Sequence, residues 1–430
     1  MSIKRTESME INCVPDGIVR IPPSKSLSHR ALICGALAGK GTIIKKLGRY
    51  GEDVAATLAC LAAMGLDYRL DESGLTVARG IVNTEGIHVE EGKVLDCGES
   101  GSTLRFLIPF ALLSGAPVVM TGRGRLLQRP LKSYLEALAS KGGKSCLEEQ
   151  RLYLQGPLRP GIYEIPGNVS SQFISGLLMA LPLLGESSEI RLTTGLESKP
   201  YVDITIDVMK HFGVHVEALE DGAFRIPGGQ SYTPAIYEIE GDYSAGAYFL
   251  VAGALGCDVG CTGLKRNSLQ GDAKILDFIL RCGGEILHDE DGALRVRATE
   301  LHGITADISQ CPDLAPPLAV LLCFCKGRSK IGGASRLRMK ESDRLRSITQ
   351  AMNSLGASIE EGEDYLLITG VDVLEGGVVD PHNDHRIAMA AALASLKSRG
   401  KVTILDPRCV NKSYPDFWKD FCRKEKEESI

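Results

Sequence analysis

Nine cations and two carboxylates stand in short junctions rich in glycine, serine and proline, and these residue types in that setting could do chemistry. The cations are Lys25, Arg30, Arg105, Arg125, Arg129, Lys340, Arg344, Arg386 and Lys412. The carboxylates are Asp313, after Cys311-Pro312, and Glu341, inside Lys340-Glu-Ser-Asp-Arg344. The stretches PPSKSLSHR, CGESGSTLR, GNVSSQF, GDYSAGA, CPDLAPP and HNDHR each read as a loop running into a helix. A helix start offers exposed N–H groups and the positive end of the dipole to an anion. Lysine and arginine placed there add charge-assisted hydrogen bonds, arginine in a fork matched to carboxylate or phosphate. The set predicts a small, multiply charged anionic ligand. Carboxylates among such cations suit proton transfer at a hydroxyl or at carbon. Alternatively each only holds an arginine in place, which is the expectation for Asp343 and an open one for Glu341.

Other chemistries lack their signatures. Gly39-Lys40-Gly41-Thr42 does not have the spacing of a Walker loop. His382 and His385 flank Asn383-Asp384 without a matching third ligand motif, so support of Arg386 is expected of them and metal ligation is not. There is no Gly-x-Ser-x-Gly elbow and no dinucleotide fingerprint after a strand. The reading is therefore no metal, no cofactor and no covalent nucleophile.

The elements that must position these residues repeat. An apolar helical stretch, a turn and a β-like run recur six times, from Ala31, Phe110, Met179, Leu250, Val320 and Ala392. The period of about 70–76 residues is longer than the common solenoid repeats. A second pattern, a helix ending near glycine followed by a hairpin, interleaves five times, as in LAAMGLDYRLDESGLTVARG and MKHFGVHVEALEDGAFRIPGG. Glycine is the usual helix stop, and Asp-Gly between alternating runs signals a hairpin. The sixth hairpin is missing at the C-terminal end, and MEINCVPDGIVRIPP resembles it, so the N-terminal segment is expected to complete the last unit as a hairpin. Two α/β domains result, each of three βαβαββ-type units. One spans 23–239, the other 1–22 with 240–430, and the crossover strands fall near 21–23 and 239–241.

Composition is compatible with this. A chain of 430 residues exceeds what one core usually serves. Apolar residues make up 44% and charged residues 24%, as in globular proteins. A formal charge of −5 gives no bulk attraction to nucleic acid, and no apolar run suits a membrane span. The 13 cysteines are scattered without a Cys-x-x-Cys pair, so thiols in a reducing cytoplasm are expected rather than disulfides.

The motifs PSKSLSHRAL, SGSTLRF, VSSQF, SKPYVDIT, RMKESDRL, NDHRIAMA and LDPRCVNKSYPDF, in that order, resemble the EPSP synthase branch of the enolpyruvyl transferase family over essentially the whole length. The resemblance implies that fold, an inside-out α/β barrel of two similar domains. It also implies transfer of the enolpyruvyl group of phosphoenolpyruvate to the 5-hydroxyl of shikimate 3-phosphate by addition and elimination. By resemblance, Ser170, Ser171 and Ser198 hold the shikimate phosphate, with Lys25, Ser26, Arg30 and Tyr201 contributing. Gln172, Asp313 and Lys340 contact the ring or its hydroxyls. Lys25, Arg129, Gln172, Arg344, Arg386 and Lys412 surround phosphoenolpyruvate, whose close approach Gly101 permits. Asp313 is matched to the proton acceptor and Glu341 to the donor, with Lys25 as a third catalytic group. The inhibitor glyphosate, a monomeric state and a cytoplasmic location are further implications.

The sequence departs from the family pattern at His29, where asparagine is common, and at Phe106, where proline is. Glu99-Ser100 precede Gly101 in place of Asn-Ala, and Arg336 stands where a neutral amide often meets shikimate. The competing reading is the sister transferase acting on UDP-N-acetylglucosamine, to which PSKS and VSSQF are less suited. A binding scaffold without catalysis would spread its cations over a surface instead of gathering them beside Asp313 and Glu341.

Overall fold

Helices that are apolar all round must lie inside a fold, whereas strands with one polar face can lie outside it. The computed structural model, which describes residues 7–83, 86, 87, 89 and 92–423, is built this way. The chain divides into two compact units, one continuous from Pro23 to Glu240, the other formed by residues up to Pro22 together with those from Gly241 onward. Each has its own apolar core.

The first unit carries α1 (Lys25–Ala38), α2 (Glu52–Ala63), α3 (Gly101–Leu113), α4 (Lys132–Ala139), α5 (Ser171–Ala180) and α6 (Lys199–His211). Of these, α3 and α5 pack on each other and are buried on nearly every residue. The second unit carries α7 (Tyr243–Ala254), α8 (Ile275–Arg281), α9 (Ala315–Cys323), α10 (Arg344–Ser354), α11 (His385–Ser395) and α12 (Phe417–Phe421). Every residue of α7 and α9 is buried, and α7, α9 and α11 pack against one another.

Among the described residues five four-stranded sheets share one order. A leading strand pairs in parallel with the next, which pairs antiparallel with the second strand of a hairpin. A sixth, three-stranded sheet has the same parallel pair with a single antiparallel strand in place of the hairpin. In the first unit the leading pairs are Ile236–Glu238 with Ile43–Lys45, Val94–Asp96 with Val118–Thr121, and Ile162–Ile165 with Ser188–Leu192. In the second they are Gly17–Arg20 with Val259–Thr262, Thr305–Asp307 with Arg328–Gly332, and Gly377–Val379 with Val402–Leu405. The two units are thus α/β repeats of the expected βαβαββ type.

The N-terminal segment does not form the expected hairpin. Ser8–Ile11 pairs with Val402–Leu405 in the sixth sheet, while Gly17–Arg20 leads the fourth sheet beside Val259–Thr262. The reason is ring closure: a leading strand needs a parallel partner, and in the first unit the far end of the segment, Ile236–Glu238, supplies it in the same way. Ile11, Val19 and Ile21 join the second core as a result. A second correction concerns the cysteines, because Cys13 is disulfide-bonded to Cys422. Pairing of Ser8–Ile11 with the last strand brings together residues 409 positions apart, a proximity no local spacing reveals. The remaining eleven are free thiols, nearly all of them buried.

Candidate active site

The first unit collects its polar residues at helix starts. Lys25 is the first residue of α1 and its Nζ lies 2.9 Å from Asp53 Oδ2, in the first turn of α2. Thr103 of α3 reaches the Asp53 carbonyl at 3.3 Å, so the starts of α1, α2 and α3 are tied together. At Gly101, the first residue of α3, a methyl group would stand 2.7 Å from the guanidinium nitrogens of both Arg105 and Arg129. Arg105 Nη1 donates to Gln172 Oε1 at 2.8 Å, and Gln172 Nε2 donates to Ser102 Oγ at 2.9 Å. Gly101, Ser102, Arg105, Arg129 and Gln172 are therefore one cluster. Ser170 caps α5 by accepting from the Gln172 N–H, with Ser171 the first helical residue. Ser198 precedes α6 with φ 55°, a left-handed conformation costly for serine, and its carbonyl accepts from the Tyr201 N–H.

Arg30 is 2% exposed and fully engaged with its own unit. It donates to Thr205 Oγ1, the Ser26 carbonyl, the Tyr201 carbonyl and Ser175 Oγ. Its guanidinium lies 4.9 Å over the ring of Phe106, which gives that departure from the family pattern a cation–π role. Burial lowers Arg30 to about 10, which leaves it charged at neutral pH. Of the remaining cations, Arg125 is exposed, whereas Arg129 is half-buried against Gly101.

In the second unit the charges converge on Asp313, in the turn that enters α9. Its Oδ1 accepts from Arg344 Nη1 at 2.9 Å and Lys340 Nζ at 3.3 Å, and its Oδ2 from Arg386 Nη2 at 2.9 Å. Glu341 Oε2 accepts from Arg344 Nη2 at 2.6 Å. Lys412 donates to the Asn383 carbonyl at 2.6 Å. Arg336 is close enough to act electrostatically on Lys340. Burial pushes Lys340 down to about 8, an effect Asp313 opposes and Arg344 reinforces. Arg344 is buried too, yet Asp384, Glu341 and Asp313 outweigh the burial and hold it firmly protonated.

Sequence reading missed Asp384. It is fully buried, caps α11 through the Arg386 N–H, and accepts from Arg344 Nε at 2.9 Å and from the Ser342 hydroxyl at 3.1 Å. Its signal was an aspartate immediately before a helix, the usual place of an N-cap. Of the two histidines expected to support Arg386, His382 turns toward Asp380 instead and is about half exposed, whereas His385 is buried beside Arg386 in the first turn of α11. Asp343 does hold an arginine, Arg338, at 3.1 Å while capping α10. Asp272, also unremarked in the sequence, is a buried carboxyl in contact with the Ser244 hydroxyl. Burial, then Asp313, raises it to about 7.

Such a set can neutralise an anion's charge, orient it, and move protons at two carboxylates held by one arginine. Comparison with known proteins points the same way. Residues 14–421 match the family model for EPSP synthase (3-phosphoshikimate 1-carboxyvinyltransferase). A relative from Clostridium perfringens, named 3-phosphoshikimate 1-carboxyvinyltransferase, is 44% identical over 408 residues, 94% of this chain and 95% of the relative. One of the same name from Clostridioides difficile is 42% identical over 413 residues, 94% of each chain. The solved EPSP synthase of Acinetobacter baumannii superposes with a TM-score of 0.79 at 25% identity, covering 96% of this chain and 97% of the other.

Proposed function

We infer the reaction from one premise: this chain belongs to the EPSP synthase (3-phosphoshikimate 1-carboxyvinyltransferase) family. It transfers the enolpyruvyl group of phosphoenolpyruvate to the 5-hydroxyl of shikimate 3-phosphate and releases phosphate. The observation that carries the mechanism is Asp313 ringed by Lys340, Arg344 and Arg386, with Glu341 on the same Arg344. Glu341 protonates the methylene carbon of the donor, which makes the neighbouring carbon electrophilic. The 5-oxygen attacks that carbon and loses its proton to Asp313. In the resulting tetrahedral intermediate the new methyl group returns a proton to the Glu341 carboxylate as the bond to phosphate breaks. Arg344, Arg386 and Lys412 stabilise the charge that builds on the donor, in a fixed arrangement that needs no reorganisation.

In the first unit, Ser170, Ser171 and Ser198 receive the acceptor's phosphate, and Lys25, Ser26, Arg30, Gln172 and Tyr201 complete that side. Asp313 and Lys340 meet its ring hydroxyls. Gly101, Arg129, Gln172 and Lys25 serve the donor, and glyphosate competes there. The enzyme works as a monomer in the cytoplasm without a cofactor. Among the described residues no helix is long and apolar enough to cross a membrane.

Phosphate release from phosphoenolpyruvate tests the reading directly. Release is expected with shikimate 3-phosphate in the presence of a chelator. Release with UDP-N-acetylglucosamine alone, or its loss on chelation, would overturn the proposal.

A further inference from the structure

The first unit holds a buried polar chain that the proposed chemistry does not use. His29 Nδ1 lies 2.7 Å from Thr57 Oγ1, which lies 2.6 Å from Thr103 Oγ1. Thr103 Oγ1 lies 2.7 Å from Ser100 Oγ, the N-cap of α3, which also accepts the Thr103 N–H. All four residues are almost fully buried. Among the described residues His29 Nε2 has no partner.

Each hydroxyl has one hydrogen, and Thr103 Oγ1, which also lies 3.3 Å from the Asp53 carbonyl, makes its shorter contact at 2.7 Å to Ser100 Oγ, so along the shorter contacts the chain can run in two ways. If Thr57 donates to His29, the ring's proton sits on Nε2, and a buried N–H is left without an acceptor. If His29 Nδ1 donates, the hydrogens run one way through Thr57 and Thr103 to Ser100, and Nε2 is left as a bare lone pair. An orphaned buried N–H is the rarer and costlier outcome. Lys25 and Arg30 stand one turn back and one residue on along α1. Burial first, then these two cations, keeps the imidazole neutral.

We infer that His29 is a positioning residue: as the neutral Nδ1–H tautomer it heads a one-way hydrogen-bond chain that fixes the first turn of α3. That turn carries Gly101 and Ser102, and Ser102 accepts from Gln172. The chain crosses α1, α2 and α3, so it locks the α3 start to the helix that presents Lys25. What it positions, the phosphoenolpyruvate side, rests on the functional reading above. The tautomer and the chain do not.

The test therefore has two independent readouts. A long-range ¹H–¹⁵N spectrum of the full chain at neutral pH, with His29→Asn used for assignment, should show Nδ1–H. An Nε2–H signal overturns the inference whatever the enzyme does. For kinetics, His29→Asn places an amide N–H where Nδ1–H stood, and Thr57→Ser keeps the relay hydroxyl. His29→Gln and Thr57→Val break it. In the two broken variants the KM for phosphoenolpyruvate should rise about tenfold, the worth of one hydrogen bond, with kcat within about threefold. The conservative pair should stay close to the parent. Equal behaviour of all four variants, or a fall in kcat at unchanged KM, overturns the positioning role. Absence of turnover in the parent would refute the functional reading and leave the tautomer result to judge the chain.

Discussion

Asp313 serves as counter-ion to three cations, and that bears on what its removal should do. Asp313→Asn and Glu341→Gln keep shape and hydrogen-bonding capacity while removing base or acid. We expect turnover to fall by about 10²–10⁴-fold in each, with substrate affinity, measured by calorimetry, largely kept. Near-normal turnover would return that residue to holding Arg344. Lys340 gives the pH dependence. Its side chain is partly buried, and desolvation pushes its pKa down from 10.5 to about 8. The KM for shikimate 3-phosphate should then climb above about pH 8, and Lys340→Arg should flatten that limb. The stability contribution has the opposite sign. Between 8 and 10.5 the unfolded lysine binds more protons than the native one, so stability from this group rises with pH. Gly101 has the ordinary backbone of a first helical residue, so alanine meets no conformational barrier there. Its methyl would press on Arg105 and Arg129. Gly101→Ala should retain its melting temperature, raise the donor KM modestly and weaken glyphosate inhibition more strongly. Unchanged inhibition in a stable variant would remove Gly101 from the donor side.

At the scale of elements, the caps do unequal work. Ser100 caps α3 with a hydroxyl, and Ser100→Ala should cost about 1 kcal/mol in urea unfolding. Asp384 caps α11 and also neutralises Arg344, which is 1% exposed. Breaking a buried pair by removing one partner leaves an uncompensated charge, so Asp384→Ala should cost about 3–5 kcal/mol. Equal losses in the two variants would show that Asp384 is only a cap. The junctions themselves were readable because helix starts obey local rules: small polar residues, an aspartate or serine cap, and then an apolar run. The pairing across helices was not, since Arg344 meets Asp384 forty residues later.

At the scale of the molecule, the continuous unit and the interrupted one should behave differently as fragments. Residues 23–240 contain all the strands of their three sheets and their own core. Expressed alone, they should melt cooperatively. Residues 241–430 lack one of the two partners of Val259–Thr262 and one of the two partners of Val402–Leu405, together with core residues Ile11, Val19 and Ile21. They should melt without cooperativity, and fusing 7–22 after residue 430 should restore the transition. Cooperative melting of 241–430 by itself would show that the two N-terminal strands are dispensable.

The amino-acid sequence by itself determined the α/β class, the repeated units and the family, because apolar periodicity, turn glycines and ordered motifs are local properties of the chain. It also located the helix starts that carry Lys25, Arg344 and Arg386. Only the tertiary structure decided which charges meet: Asp313 with Lys340, Arg344 and Arg386, and Arg344 with the buried Asp384. It alone split the N-terminal segment between two sheets, joined Cys13 to Cys422 and threaded His29 to Ser100 through two threonines. Those facts depend on distances between residues far apart in sequence, and packing sets such distances after the local rules have been satisfied.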